Sequence, residues 1–142
     1  MVLGPRDLPL RALYWTPGVS SWCQQLVQSG EVASGMLSYE LQLNQAFADF
    51  VSGRPLASGL TRTEPPRNGG IWKLHTPNIR LFGWCVEPQT LVLAACEKAS
   101  VLKAAGKPRY KDLAVHATVE RRRLNFKDWH IGDIRSAFPA IN

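Results

Sequence analysis

The side chains with the clearest chemical potential lie in and beside three short apolar runs in the second half of the chain. Arg80 stands in an aromatic-rich run, where an arginine is costly unless it has a partner or a ligand. Side chains alternate along a strand, so Arg80, Phe82 and Trp84 share one face. By the same rule, Lys73 and His75 share one face of the preceding run. Two interpretations of Arg80 are therefore open. It forms an ion pair or lies at the edge of the sheet, or its planar guanidinium group is held rigidly in position to bind a phosphate.

Few other residues suggest a reaction. The sequence contains no nucleophile elbow, no phosphate-binding loop, no H-E-x-x-H and no pair of metal-spaced carboxylates. Among the three histidines, His75 is the candidate for proton transfer, since an unperturbed imidazole pKa of about 6.5 suits that role. Three cysteines without a C-x-x-C spacing indicate neither a disulfide framework nor a zinc site. We therefore expect no metal and no cofactor.

Basic charge is concentrated in one window, from Lys98 to Lys127. Nine Lys or Arg stand against two acids there, a balance of +7, whereas the whole chain carries +6. A local basic surface beside a small sheet is typical of a face that contacts RNA or DNA. The expected nucleic-acid contacts are the window residues Lys103, Lys107, Arg109, Tyr110, Arg121 and Arg122, together with Lys73 from the neighbouring strand.

Hydrophobic periodicity and turn residues predict the element order β-α-α-loop-β-β-β-α. The first half has a strand at Leu10–Trp15, a helix capped by Ser20 or Ser21, and a helix from about Gly35 to Val51. The expected inner stripe of the second helix is Leu37, Leu41, Asn44, Ala48 and Val51. The second half has a Gly/Pro-rich loop and then three strands and a helix: Gly53–Gly70, Ile71–Thr76, Ile79–Val86, Leu91–Lys98 and Tyr110–Leu124.

These elements predict an α+β domain, in which two N-terminal helices pack on one face of a small, mainly antiparallel sheet and a C-terminal helix follows. A length of 142 residues indicates a single domain. No apolar stretch approaches the roughly 20 residues that span a bilayer, and the N-terminus lacks the apolar centre of a signal peptide. We therefore expect a cytoplasmic protein that does not contact a membrane.

The order of the elements and their residue pattern resemble those of RelE/HigB-type toxins and the related phage Gp49-like proteins. That family has a Glu-Leu-Arg strand, a Tyr-Arg-aliphatic-aromatic strand, an apolar strand ending in lysine, and a basic helix. The matching segments are Asn68–Thr76, Ile79–Trp84, Leu91–Lys98 and the helix that ends in Arg121-Arg122-Arg123. The resemblance covers about residues 10–126 of a domain spanning 1–142, so that 127–142 is a C-terminal extension.

The resemblance implies the toxin of a type II toxin–antitoxin pair. Such a toxin cleaves mRNA on the ribosome without a metal, by attack of a ribose 2′-OH on the adjacent phosphate, and a cognate antitoxin protein binds it. Arg80 would bind the scissile phosphate, Lys98 matches the lysine ending the next strand, and Arg109 or Tyr110 would orient the nucleotide. Together with His75, this gives the candidate catalytic set Arg80, Lys98 and His75.

The chain also departs from the family pattern. Lys73-Leu74-His75 stands where the family has Glu-Leu-Arg, and Ile79 replaces an aromatic residue before the arginine. One alternative is therefore a non-catalytic, phage-derived module of the same fold that binds RNA or a partner protein. Another is a structural phage-type protein whose basic face meets an acidic partner.

Two geometric expectations follow from the strand alternation and the loop composition. Arg80 should point into a cleft beside Lys98 and the start of the last helix. The loop Gly53–Gly70 should rim that cleft and be the most mobile internal segment, because of its Gly and Pro content.

Overall fold

The computed structural model describes residues 10–31, 37–54, 59–62 and 70–124. Over these residues the chain forms five strands and four helices, which confirms the predicted α+β class. The strands are β1 Ala12–Trp15, β2 Leu60–Arg62, β3 Ile71–His75, β4 Ile79–Glu87 and β5 Thr90–Lys98. The helices are α1 Pro17–Gln28, α2 Tyr39–Ser52, α3 Ala99–Ala105 and α4 Lys107–Arg123.

The five strands form one mixed sheet in the order β1-β5-β4-β3-β2. Strands β3, β4 and β5 are joined as an antiparallel meander, as the tight turns after His75 and Glu87 predict. Strand β2 extends the meander antiparallel to β3, whereas β1 pairs in parallel with β5. The first and last strands are thus neighbours.

Each face of the sheet carries its own apolar core. On one face, Leu74, Ile79 and Leu81 are fully buried against side chains of α1 and α2 such as Val19 and Phe50. The other core contains Phe82 and Trp84 of β4 together with Leu102 of α3 and Leu113 and Ala117 of α4. The two N-terminal helices therefore share a face, and α4 covers the opposite one.

The helix ends follow from identifiable capping residues. Helix α1 begins at Pro17, earlier than predicted, because Thr16 caps it by accepting a hydrogen bond from the Val19 N–H at 3.4 Å. Proline suits the first helical position, where its missing N–H is not needed. Helix α2 is capped by Ser38 and ends at Gly53, whose φ of 76° lies in the left-handed region that glycine favours.

The inner stripe of α2 differs from the predicted one. Ala48 and Val51 are buried as predicted, and so are Phe47 and Phe50, which were expected beside the stripe. Leu37, Leu41 and Asn44 are exposed, and Tyr39 and Leu43 join the core instead. Both stripes have helical spacing. The observed one buries three aromatic rings, which remove more apolar surface from water than the leucines of the other stripe.

Two short elements were not predicted. Strand β2 lies within the predicted loop Gly53–Gly70, and α3 occupies most of the segment between the last strand and α4. The rest of that loop, residues 55–58 and 63–69, and the C-terminal extension lie outside the described residues, so the mobility of the loop stays a prediction. In the part of the chain that is described, no helix has both the length and the apolarity that crossing a bilayer requires.

Candidate functional site

Three polar side chains form a row across the face of the sheet that α4 covers. His75 on β3 pairs with Arg80 on β4, and Arg80 pairs with Glu97 on β5. The side chains of directly paired residues project from the same face of a sheet, and their Cβ atoms lie about 4.5–5.5 Å apart. Lys73 stands on this face two residues before His75, and Thr61 pairs with Lys73 from the edge strand β2.

The guanidinium of Arg80 is held by the backbone of its own turn. Its Nη1 donates to the carbonyl oxygens of Thr76 at 2.6 Å and Ile79 at 3.0 Å. Gln42 fixes that turn, since its Oε1 accepts from Thr76 Oγ1 at 2.9 Å and from the Asn78 N–H at 3.0 Å. Within the described residues, Nε and Nη2 of Arg80 have no hydrogen-bond partner. Arg80 therefore presents an oriented cationic edge, as phosphate binding needs.

His75 is anchored from the sheet edge and is surrounded by cations. Its Nε2 lies 2.8 Å from Thr61 Oγ1, and its backbone N–H donates to the Gly59 carbonyl at 3.1 Å. Burial, and then the nearby charges of Arg80 and Lys73, lower the pKa of His75 to about 4. The imidazole is therefore neutral at physiological pH in the free protein.

Lys73 and Tyr110 link the sheet to the first turns of α4. The Nζ of Lys73 lies 4.7 Å from the centroid of the Tyr110 ring, and that ring packs edge-on against Phe82 at 6.4 Å. Burial and the charge of Arg80 lower the pKa of Lys73. The predicted RNA-binding residues Lys73 and Tyr110 are thus brought together beside Arg80.

Glu97 and Arg109 complete the site on the β5 side. Arg109 Nη2 lies 3.4 Å from Glu97 Oε2, and Glu97 Oε1 accepts a hydrogen bond from the Lys98 N–H at 2.9 Å. Arg109 is among the site residues that the sequence predicts, whereas Glu97 and Thr61 are not. No sequence pattern singles out Thr61, which lies in an unpredicted strand. Glu97 carries one signal in the sequence, since it is an acid next to Lys98 at the end of an otherwise apolar strand.

Lys98 does not lie beside Arg80, contrary to the expectation from sequence. It pairs with Ile79, whose side chain belongs to the core under α1 and α2, so Lys98 projects from the opposite face. There its ammonium group forms an ion pair with Glu31 and lies 5.9 Å from the ring centroid of Tyr39. Lys98 is therefore separated from the candidate site by the sheet.

The other predicted RNA-binding residues divide into buried and exposed groups. Arg121 is only 5% exposed, because helical spacing places it on the inner face of α4 with Ala114 and Ala117. Four cations of α3 and α4 are exposed, and no acid of the described chain pairs with them. We call these four the basic helix surface: Lys103, Lys107, Lys111 and Arg122.

Comparisons with family models, with curated proteins and with solved structures gave no match. Across residues 10–31, 37–54, 59–62 and 70–124, no group of three or more His, Cys, Asp or Glu side chains could hold a metal ion.

We expect the His75 imidazole to titrate near pH 4 in ring-proton NMR spectra. Its folded-state pKa lies below the unfolded value of about 6.5, so between these pH values the unfolded chain binds more protons. The free energy of unfolding should therefore fall as the pH falls through this range. Arg80→Ala should raise the pKa of His75, because it removes an adjacent cation. A His75 that titrates at or above pH 6.5 would contradict the described environment.

Proposed function

We propose that this chain is an endoribonuclease of the RelE/HigB type, the toxin of a type II toxin–antitoxin pair that cleaves mRNA on the ribosome. The observation that carries the proposal is the oriented cationic edge of Arg80, next to the neutral imidazole of His75. Lys73 and Arg109 add positive charge around the same point, and Tyr110 offers an aromatic ring. These are the groups that cleavage by an internal hydroxyl requires.

RNA provides its own nucleophile in such a reaction. The 2′-OH attacks the adjacent phosphorus, and negative charge develops on the phosphate oxygens in the transition state. A fixed guanidinium stabilises that charge without reorganising, and an adjacent group moves a proton. Arg80 would bind the scissile phosphate and His75 would transfer a proton, whereas Lys98 is removed from the catalytic set by its position.

The proposal extends to the fold and the partners. Three of the four strand pairings are antiparallel, and two helices precede the meander, which supports a mainly antiparallel, RelE-like domain. The proposed partners are mRNA, the ribosome and a cognate antitoxin protein in the cytoplasm. Expression of the chain alone should arrest growth and degrade mRNA, and co-expression with the product of an adjacent antitoxin gene should restore both. Unaffected growth and intact mRNA would contradict this function.

A second candidate function is a non-catalytic RNA-binding module of the same fold. The basic helix surface favours it, because Lys103, Lys107, Lys111 and Arg122 are exposed and unpaired within the described chain. These residues could bind a phosphate backbone without help from Arg80. Binding of RNA that survives Arg80→Ala, in a wild-type protein that does not cleave, would support this function.

The basic helix surface is expected to set the salt dependence of RNA binding. Each phosphate contact with single-stranded RNA contributes about 0.7 to the slope of log affinity against log salt concentration. The double variant Lys107→Gln, Lys111→Gln should therefore lower the slope by about 1.4, measured by fluorescence anisotropy with a labelled RNA. Lys98→Gln, on the opposite face and paired with Glu31, should leave the slope unchanged. Equal effects of the two changes would mean that RNA does not contact this surface.

A further inference from the structure

Two of the three cysteines lie next to each other in the folded chain, although they are far apart in the sequence. Cys23 belongs to the inner stripe of α1, between the buried residues Val19 and Leu26. Cys96 on β5 pairs with Leu81, which lies in the core under α1 and α2, so its side chain projects toward those helices. The two thiols share a hydrogen bond. The fold therefore creates a dithiol that the sequence spacing does not show.

Both thiols of this pair can be reached from solvent. Cys23 and Cys96 are partly exposed, whereas Cys85 is fully buried. Cys23 lines a groove of about 320 Å³ between α1 and α2, together with Val27 and Leu43. Cys96 lines a second groove, between α1 and α4. A small oxidant can therefore reach the pair without unfolding of the chain.

The hydrogen bond between the two thiols makes them unequal. Cys96 donates it, which lowers the pKa of Cys23, although burial acts in the opposite direction. The same bond, and then burial, raises the pKa of Cys96. Cys85 lies outside the pair, since its Sγ donates to the Glu87 carbonyl at 2.8 Å, and burial raises its pKa to about 11. The thiolate is the reactive form of cysteine, so Cys23 is the strongest nucleophile of the three.

We propose that Cys23 and Cys96 form a reversible redox site, in which Cys23 reacts with a small-molecule disulfide such as oxidised glutathione and Cys96 resolves the product. In the first step the Cys23 thiolate attacks one glutathione sulfur, the S–S bond of glutathione breaks, and one glutathione leaves as a thiolate. Cys96 then loses its proton to water and attacks the Cys23 sulfur, and the second glutathione leaves. Two protein thiols are oxidised to a disulfide, and one glutathione disulfide is reduced to two thiols. This redox site does not depend on the proposed endoribonuclease function.

The thiol hydrogen bond also sets the order of the two steps. While Cys23 carries a negative charge, Cys96 keeps its proton. Glutathione on Cys23 removes that charge, so the pKa of Cys96 falls and its thiolate forms next to the sulfur that it attacks. An accessible, low-pKa cysteine beside a second cysteine is the arrangement found in thiol redox sensors. In a reducing compartment such disulfides form transiently, when oxidant is present.

The test incubates the purified, reduced chain with oxidised glutathione under native conditions, and then uses thiol alkylation and intact-mass spectrometry. The wild-type protein should lose two of its three free thiols, retain no glutathione, and regain both thiols with a reducing agent. Cys96→Ser should stop after the first step and retain one glutathione on Cys23. Cys23→Ser should take up glutathione at least about tenfold more slowly than Cys96→Ser. Cys85→Ser, which keeps a donor for the Glu87 carbonyl, is the matched control and should behave as wild type.

Three results would overturn the redox site. Three free thiols in the wild-type protein, or glutathione adducts without a protein disulfide, would mean that Cys23 and Cys96 do not react as a pair. A disulfide that is lost in Cys85→Ser but kept in Cys96→Ser would exclude Cys96 as the resolving residue. Faster glutathione uptake by Cys23→Ser than by Cys96→Ser would reverse the two roles. If circular dichroism shows that a variant is unfolded, peptide mapping of the wild-type disulfide after cleavage between Cys85 and Cys96 decides, and linkage through Cys85 overturns the assignment.

Discussion

Replacing Arg80 with alanine is expected to slow RNA cleavage by about 10²–10³-fold and to abolish growth arrest. The guanidinium donates hydrogen bonds to two backbone carbonyls, so it is already oriented in the wild-type protein before a phosphate binds. Alanine removes both the charge and the directed donors from the transition state. The measurement is the single-turnover cleavage rate of mRNA on ribosomes, with thermal unfolding as the check that the fold is retained.

Two further variants sharpen the Arg80 result. Arg80→Lys keeps the charge but loses the planar fork, so it should recover only a small part of the rate. Lys98→Ala removes a cation from the neighbouring strand on the opposite face, and should cleave at close to the wild-type rate. An Arg80→Ala protein that cleaves as well as Lys98→Ala would exclude Arg80 as the phosphate ligand.

Replacing Gly83 with alanine is expected to destabilise the protein by about 3 kcal/mol or more, among the largest effects of a single substitution. A Cβ at this position would lie 1.9 Å from the carbonyl oxygen of Val92 and 2.7 Å from its carbonyl carbon. Both atoms belong to the backbone of the paired strand, so no side-chain rotation can relieve the overlap. Natural domains are stable by only about 5–15 kcal/mol, so the variant should unfold at much lower urea concentration.

Gly18→Ala is the matched control for Gly83→Ala. Gly18 lies near the start of α1, and the nearest atom to an added Cβ is Thr16 Oγ1 at 4.0 Å. The change in free energy of unfolding should stay below about 1 kcal/mol. Equal stability of the two variants in urea titrations would contradict the close approach of β4 and β5 at Gly83.

A bulge opposite Gly83 explains why Lys98 does not lie on the face of the sheet that carries Arg80, where it was expected. Phe82 pairs with Ala95 but Gly83 pairs with Leu93, so Ala94 is an extra residue that forms a bulge in β5. A bulge shifts the alternation by one position. Without it, Lys98 would share the face of Arg80; with it, Glu97 does. The sequence shows a glycine in a strand but does not show which residue of the partner strand bulges.

Sequence patterns predict other parts of the fold correctly. The meander β3-β4-β5 and the faces of β3 and β4 follow from tight turns and period-two alternation, and the structure confirms them. The parallel pairing of β1 with β5 could not be predicted, because strands distant in sequence carry no local signal of their partner. Likewise, Thr61 reaches His75 only through tertiary pairing.

The most direct test of the central claim is the product of an in vitro reaction between the purified chain, ribosomes and a defined mRNA. The proposed function predicts discrete fragments that carry a 2′,3′-cyclic phosphate at one new end and a 5′-hydroxyl at the other, and that are absent with Arg80→Ala. Intact mRNA at saturating protein, with RNA binding retained, would contradict endoribonuclease activity and leave the binding module as the function of this chain.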